Sequence, residues 1–390
     1  DKMSMLTLRG FRAAKGVATP NFGSLLQFKT AVAVVALAVF ATSTASAQDA
    51  DPAEVPPAEA VDVFLDRARR IVPSFPLHDT AADIEADILR ICAQVTGLPL
   101  GIELAASWVE HFSVGEIGRS LAEIEIAPQQ AGGVISRHHS LSNIFEYSWR
   151  LLSPPQQQIL AGLSIFRGGF DRVAALAVAA AGLSELSALI SHSLVQRITA
   201  GRYDLHPLIQ ELAATRLSDE QAALLAGRYS HHYLTALMAT ERMQRATTLQ
   251  IEFDNIRSAW QHAIQASDTA IIEPVTTQFG EFIAQFGLIA DGAQLFAEAV
   301  THFEGAPEFK ELVAHLLYQQ WVFVRAMRGI AAASDLSHRI LSLTSSQELL
   351  ALTHSDLANF YAEAGAWELA DCHFDASEAL LQGSANLSMY

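Results

Sequence analysis

The sequence predicts a mainly α-helical protein that combines a short-helix bundle, a winged-helix module with a small β wing, and an α-helical repeat array. Three observations support this fold class. Hydrophobic residues make up 51% of the 390-residue chain and charged residues only 17%, as is typical of packed globular domains. Apolar residues recur at helical spacing through most of the chain. Two short strands flank the turn at Ala200 and Gly201.

Residues 1–48 differ from the rest of the chain. Lys29 precedes a short apolar run that ends in an Ala-x-Ala site, which predicts a secretory signal peptide cleaved after Ala47. The long basic segment before Lys29 leaves two alternatives open, an organellar transit peptide or an upstream segment outside the mature protein. The run is shorter than the roughly 20 residues that cross a bilayer, so no stable membrane span is predicted. Residues 49–60, rich in Pro, Ala and acidic residues, are predicted to be a linker.

The rest of the chain is strongly acidic. The formal net charge is −17, although residues 2–48 contain five basic residues and no acidic one. The remainder of the chain therefore carries an even larger excess of negative charge. Such a surface repels phosphate backbones and anionic lipids, so nucleic acid is not predicted to be a partner.

Residues 61–126 are predicted to form a compact, lid-like bundle of short helices. An amphipathic stripe ends at Gly97, and Pro99 begins the next helix. Ser113 and Glu116 have the spacing of a capping box and predict the start of a fourth helix.

Residues 137–217 are predicted to form the winged-helix module. Its last helix before the wing is expected over Ser184–Ser193, and the first wing strand over Leu194–Ile198. A second strand then leads to His206, with Pro207 in the first turn of a new helix.

Winged helices also bind DNA, and the candidate recognition helix bears on that alternative. Ser184–Ser193 contains no Lys or Arg and carries Glu185. Base readout requires Arg, Lys, Asn or Gln side chains that reach base edges. The module is therefore predicted to be a protein–protein arm.

Residues 218–390 are predicted to form helical repeats. A helix is expected from Tyr229, with Tyr233 and Leu237 facing inward, and further helix pairs recur around glycine turns at Gly287, Gly329 and Gly365. The spacing of these turns is irregular beside a regular 34-residue period, so the array is predicted to be degenerate.

No metal site and no disulfide are predicted. Cys92 and Cys372 lie among apolar neighbours on helical patterns, so both are expected to be buried, reduced thiols. Histidines that are adjacent in the sequence point in different directions on a helix and cannot share a ligand. These pairs are His138 with His139 and His231 with His232.

Several segments, in the right order, resemble one family, the NB-ARC-type STAND ATPases (signal-transduction ATPases with numerous domains). The resemblance covers about residues 58–385 and implies a helical lid, a winged-helix arm and tetratricopeptide-like repeats. The segments that carry it are Gly97-Leu-Pro-Leu100, Leu-Leu-Ser-Pro at 151–154, Ser-Ile-Phe-Arg-Gly-Gly-Phe at 164–170, Ser-Leu-Val-Gln-Arg at 193–197, and Phe253–Trp260, which is similar to the start of the repeats in bacterial STAND regulators.

The resemblance implies ADP or ATP as a ligand and two residues that would contact it. Pro99 would line the adenine pocket, and His206 would meet the phosphates. Leu205 and Pro207 stand where the family has the Met and Asp of a Met-His-Asp-type motif, so Pro207 departs from the pattern. A histidine at a helix N-terminus can donate to a phosphate there. The alternative is that His206 only caps or packs against its helix.

No catalytic residue is predicted, because the sequence contains no Gly-x-x-x-x-Gly-Lys-[Ser/Thr] motif and no apolar strand ending in paired acids before residue 58. The resemblance implies the regulatory and sensor portion of a cytoplasmic STAND-type signalling protein. Its repeats would bind a protein partner or a small-molecule inducer, and a P-loop ATPase domain would be supplied elsewhere. The alternative is a nucleotide-independent helical-repeat adaptor or scaffold, exported after cleavage at Ala47.

Overall fold

The computed structural model describes residues 57–75, 81–125, 134–241, 245 and 249–387. All described residues belong to one compact unit. The predictions made on residues 1–48 and on cleavage after Ala47 lie outside the described residues.

Four short helices form the N-terminal bundle, residues 57–125, and Phe64, Ile91 and Trp108 fill its core. The backbone N–H of Ser113 donates to Glu116 Oε2 over 2.8 Å, as the capping-box pattern predicts. The helices are α1 (Pro57–Ile71), α2 (Ala81–Gln94), α3 (Pro99–Ser107) and α4 (Val114–Glu125), with a 3₁₀ turn at Trp108–Glu110 after α3.

A small three-stranded antiparallel sheet lies among the next helices, with the strand order β1-β3-β2. The helices and strands of this region, in chain order, are α5 (Val134–Leu151), α6 (Pro154–Leu163), β1 (Phe170–Asp171), α7 (Arg172–Ala179), α8 (Leu183–Ser191), β2 (Gln196–Thr199), β3 (Arg202–Asp204) and α9 (Pro207–Ala214). Strands β2 and β3 are the predicted wing hairpin. Strand β1 was not predicted; it pairs with the central strand β3 and places Phe170 opposite Tyr203. We call residues 153–217 the wing module.

The remaining helices form the repeat array, residues 218–387. They are α10 (Asp219–Ala239), α11 (Phe253–Gln265), α12 (Thr269–Gln285), α13 (Ile289–Phe303), α14 (Lys310–Arg328), α15 (Ile330–Leu343), α16 (Gln347–Glu363) and α17 (Trp367–Leu387), with 3₁₀ turns at Gln250–Glu252 and Pro307–Phe309. The predicted glycines Gly287, Gly329 and Gly365 lie at turns between helices, each with a positive φ. Helix α10 packs on both α7 of the wing module and α11, so it joins the two regions.

A run of stacked aromatic rings forms the core of the first repeats. Trp260 on α11 stacks on Phe279 of α12, with ring centroids 4.3 Å apart. Phe296 of α13 contacts both rings and stacks in turn on Phe323 of α14 at 5.8 Å. Because each helix contributes one ring to the next interface, the packing of the four helices is interdependent. Tyr233 and Leu237 are buried, as predicted.

The architecture confirms the predicted fold class, mainly α with a small β wing and a helical repeat array. Among the described helices, none alone is long and apolar enough to cross a membrane; the bent pair α7 and α8 meets the length and composition test only when both helices are counted together.

The expectation that both cysteines are buried is wrong for one of them. Cys92 is buried in the N-terminal bundle, whereas Cys372 is exposed on α17. Helix α17 packs mainly against α16, so only one of its faces is covered, and Cys372 lies on the other.

This difference predicts two classes of thiol. Burial raises the pKa of the Cys92 thiol to about 11, so Cys92 carries almost no thiolate at pH 8. A disulfide dye reagent should therefore modify Cys372 rapidly and Cys92 only after unfolding. Cys372→Ser should remove the fast phase and Cys92→Ala should not. Two fast phases in the folded wild type would contradict the placement.

Candidate functional site at the two ends of the wing module

Pro99 begins helix α3 within a tight turn between α2 and α3. Thr96 and Gly97 both have a positive φ, and the N–H of Gly97 returns to the carbonyl of Cys92. Leu98 and Leu100 are buried on either side of Pro99, which is itself half-buried. The pyrrolidine ring fits this first helical position because no backbone N–H is needed there.

His206 caps helix α9. Its Nδ1 accepts a hydrogen bond from the backbone N–H of Leu208 at 3.2 Å. Since Nδ1 is the acceptor, the proton of the neutral ring lies on Nε2, which is left as a donor. Burial lowers the pKa of His206, so the neutral, capping form dominates at neutral pH. His206 is therefore a helix cap through Nδ1 and carries a second polar group, Nε2–H, that is a hydrogen-bond donor.

The structure places the two predicted site residues at the starts of different helices. Helices α3 and α9 share α5 as a packing neighbour, and no hydrogen bond among the described residues links Pro99 to His206. An ion pair between Glu146 of α5 and Arg216, just after α9, joins these two helices. The guanidinium of Arg216 also lies 5.5 Å from the ring of Trp149 on α5.

The N-terminal bundle contacts the wing module through Arg67. Its Nε donates to Ser193 Oγ at 2.8 Å, and its Nη2 donates to the carbonyls of Ile190 and Ser191. Ser193 Oγ donates onward to the carbonyl of Glu103 on α3 at 3.0 Å. Arg67 therefore satisfies the free carbonyls at the C-terminus of α8, where a positive charge is also favoured by the helix dipole. This set of contacts is called the Arg67 junction.

Two histidines lie beside the Arg67 junction. His111 of the bundle and His192 at the end of α8 have ring centroids 6.0 Å apart. Burial lowers the pKa of His192, and the neighbouring His111 lowers it further. Protonation of His192 would therefore place an unfavourable charge in this contact.

The wing module contacts the repeat array through Asn255, which is fully buried. Its Oδ1 accepts from the backbone N–H of Arg167 at 2.7 Å and from the hydroxyl of Tyr229 at 2.9 Å. Its Nδ2 donates to the carbonyl of Gly169 at 2.9 Å and to Glu252 Oε2 at 2.7 Å. All four hydrogen-bonding positions of the amide are thus filled.

Arg202 of β3 completes this contact. Its guanidinium pairs with Glu252 Oε1 at 2.5 Å and donates to the carbonyls of Gly168 at 2.7 Å and Ile251 at 3.0 Å. The pair is largely buried, with 9% of the Arg202 side chain and 15% of the Glu252 side chain exposed. We call Asn255, Arg202, Glu252, Tyr229 and the Gly168-Gly169 turn the Asn255 junction.

Gly169 permits the close approach at this junction. It has a φ of +81°, and a Cβ there would lie 2.7 Å from the carbonyl oxygen of Tyr203. A side chain at this position would therefore separate the turn from β3.

A small groove lies on the repeat array between α11 and α13. Its volume is about 210 Å³, smaller than a typical pocket for a drug-sized ligand. Its wall combines apolar and polar side chains: Trp260, Gln261, Ile264, Gln265, Leu295, Glu298, Ala299 and His302.

Sequence reasoning identified the segments of both junctions but not the residues that join them. The Phe253–Trp260 segment and the Gly168-Gly169 turn were singled out separately. Nothing in either segment shows that Asn255 of one contacts the backbone of the other. Arg67 lies within α1, and nothing in the sequence of that helix indicates its partners at the end of α8. The one available signal is that Asn255 is a polar residue at a position on the buried, apolar face of α11.

Comparisons with known proteins give relatives that this chain matches in part. It is 31% identical over 222 residues to putative HTH-type transcriptional regulators of Mycobacterium tuberculosis and Mycobacterium bovis, which covers 52% of this chain and 24% of theirs. It is 31% identical over 188 residues to uncharacterized proteins of the same two species, which covers 45% of this chain and 47% of theirs. The chain thus spans about a quarter of the length of the first relatives and about half the length of the second. No family model matches it.

A solved structure shares the fold. It is the crystal structure of a STAND protein with a tetratricopeptide repeat sensor from Pyrococcus horikoshii, with a TM-score of 0.54 and 14% sequence identity. The match covers 85% of this chain and 42% of the other. This chain therefore shares its fold with part of that STAND protein.

The Asn255 junction makes a prediction about stability. Asn255→Ala leaves the backbone N–H of Arg167 without its partner. It also removes one hydrogen bond each from the buried Tyr229 hydroxyl and from the carbonyl of Gly169. We expect the free energy of unfolding to fall by about 3 kcal/mol, measured by chemical denaturation. Gln265→Ala, at an exposed position on the same helix, is the control and should change it by less than about 0.5 kcal/mol. Equal effects of the two substitutions would contradict the role assigned to Asn255.

Proposed function

We propose that the chain is the regulatory and sensor portion of a STAND-type, ATP-dependent signalling protein. In this proposal the repeat array binds a protein partner or a small-molecule inducer, and the wing module transmits that event to the N-terminal bundle. A P-loop ATPase domain supplied elsewhere would hydrolyse the nucleotide that this chain contacts, and the setting would be the cytoplasm. The likeness to a STAND protein with a repeat sensor supports the proposal, at the level of fold.

The observation that carries the proposal is that the wing module is joined to its neighbours by polar contacts at both ends, partly buried at the bundle and buried at the repeats. The Arg67 junction ties it to the bundle, and the Asn255 junction ties it to the repeats. Networks of this kind are specific in geometry, because a displaced partner leaves buried groups unsatisfied. A movement of the repeats therefore carries the wing module with it or breaks the Asn255 junction as a whole.

Nucleotide contact is proposed at Pro99 and His206. The Nε2–H of His206 is a donor at a helix N-terminus, where backbone N–H groups and the helix dipole also favour an anion. A phosphate could accept a hydrogen bond from this Nε2–H without disturbing the Nδ1 cap. Pro99 would contact the adenine, as the resemblance implies. ADP or ATP is the proposed ligand, and no catalytic residue is proposed.

A second function, a nucleotide-independent helical-repeat adaptor, is favoured by a different observation. The Nδ1 of His206 is already used by its own helix, and this role alone explains a histidine at that position. The groove between α11 and α13 would serve an adaptor as well as a sensor.

The experiment that separates the two functions is a thermal-shift titration of the chain with ADP and with ATP plus Mg²⁺. A ligand at 100 times its dissociation constant adds about 2.7 kcal/mol to stability, which raises the melting temperature measurably. We expect stabilisation by nucleotide, and its loss in His206→Ala.

His206→Ser provides the matched control. Serine is a good N-cap residue, whereas alanine loses the cap and costs about 1 kcal/mol. If His206 contacts phosphate, both variants lose the response to nucleotide, although only His206→Ala is less stable without it. A response that persists in His206→Ser would rule out phosphate contact by the ring. No response of the wild type at millimolar nucleotide would overturn nucleotide binding by this chain and favour the adaptor.

A further inference from the structure

Two histidines on different helices face each other in the last helix pair of the repeat array. His354 lies on α16 and His373 on α17, and their Nδ1 atoms are 2.8 Å apart. Their ring centroids are 5.1 Å apart, at an interplanar angle of 37°. In this contact one ring donates its proton and the other accepts it, so at least one of the two imidazoles is neutral.

Aromatic neighbours hold these rings in place. The ring of Tyr361 stacks on His373 with a centroid distance of 5.3 Å and an angle of 8°. The hydroxyl of Tyr361 lies 3.5 Å from Nε2 of a third histidine, His338 on α15. Both paired imidazoles are partly exposed, so a solvated ion can reach them. The pair is therefore ordered and accessible at once.

Burial disfavours the charged form of both rings. Burial lowers the pKa of His354. Burial also lowers the pKa of His373, and the nearby His354 and His338 lower it further. A metal ion binds the neutral imidazole, so a lowered pKa reduces competition from protons near neutral pH. The negative net charge of the chain, −17, also favours a cation.

The spacing of the two nitrogens is close to that of metal ligands. Nitrogens bound to a tetrahedral zinc ion, each about 2.0–2.1 Å from the metal, are about 3.3 Å apart. An opening of the pair by about half an ångström would admit the ion between them. The ring that donates in the hydrogen bond would carry its proton on Nε2 instead of Nδ1, so that both Nδ1 atoms are free to bind the metal. Imidazole suits Zn²⁺, Cu²⁺ and Ni²⁺, whereas Mg²⁺ and Ca²⁺ prefer oxygen ligands.

We propose that His354 and His373 form a two-imidazole site for a divalent transition-metal ion, Zn²⁺, Ni²⁺ or Cu²⁺. The described residues contain no group of three or more His, Cys, Asp or Glu side chains placed to hold a metal ion, so water completes the coordination. The bound ion links α16 to α17 and stabilises this helix pair. The site is independent of nucleotide binding and of the proposed signalling function.

The test is a titration of the chelator-treated full chain with ZnCl₂ and NiCl₂, followed by calorimetry and by thermal shift, with MgCl₂ as the negative control. We expect Zn²⁺ and Ni²⁺ to raise the melting temperature and MgCl₂ to leave it unchanged.

His354→Ala and His373→Ala should each weaken binding at least tenfold. His302→Ala is the control, because His302 is exposed and bonded to Ser267, and it should bind as the wild type does. Binding should weaken at pH 5.5, where protons compete for the imidazoles.

A spectroscopic measurement guards against variants that merely loosen the helix pair. Electron paramagnetic resonance of bound Cu²⁺ shows splitting from coordinated nitrogens, and each single variant should lose one of the two imidazole contributions. His354→Gln, which keeps a polar side chain in the contact, should lose the same contribution while retaining the wild-type circular dichroism. Binding that persists unchanged in both alanine variants, or no binding at millimolar metal, overturns the site.

Discussion

The amide of Asn255 is the constraint on which the arrangement of the wing module and the repeat array depends. It is buried, and each of its four hydrogen-bonding positions is used, two by the turn after α6 and two by groups that belong to the repeats. An amide bonded in this way has one orientation and one position. Arg202 and Glu252 add a buried ion pair that desolvation would make costly if either partner were displaced. The hydrogen bonds and the ion pair of the Asn255 junction are therefore expected to form together and to break together.

The Arg67 junction has the same character at the other end of the wing module. One guanidinium satisfies the carbonyls that end α8 and the hydroxyl of Ser193, which in turn bonds to α3. The hydrophobic core is continuous from the bundle through the wing module into the repeats, and Phe166 of the wing module packs against Tyr229 of α10 with ring centroids 5.7 Å apart. The wing module is therefore held by apolar packing as well as by polar contacts, and the two junctions fix how its surfaces are aligned.

The sequence alone was enough to predict the features that local chemistry determines. The turn at Gly97 and Pro99, the capping box at Ser113, and the glycine turns of the repeats follow from backbone preferences of single residues. Strand β1 could not be predicted, because two residues show no alternation and their pairing partner lies far along the chain. The partners of Asn255 and of Arg67, and the pairing of His354 with His373, could not be predicted from the sequence either. Each contact joins helices whose relative placement depends on the whole fold.

Hydrogen exchange along a denaturant series tests most directly whether the Asn255 junction opens as one unit. The backbone amides of residues 163–171, around the glycine turn, and of residues 256–264 on α11 are compared in the wild type and in Asn255→Ala. We expect the two segments to open with the same free energy in the wild type, and the substitution to lower the opening free energy of residues 163–171 more than that of residues 256–264. Different opening free energies in the wild type would contradict a single cooperative junction, because they would show that the wing module and the repeats open independently of Asn255.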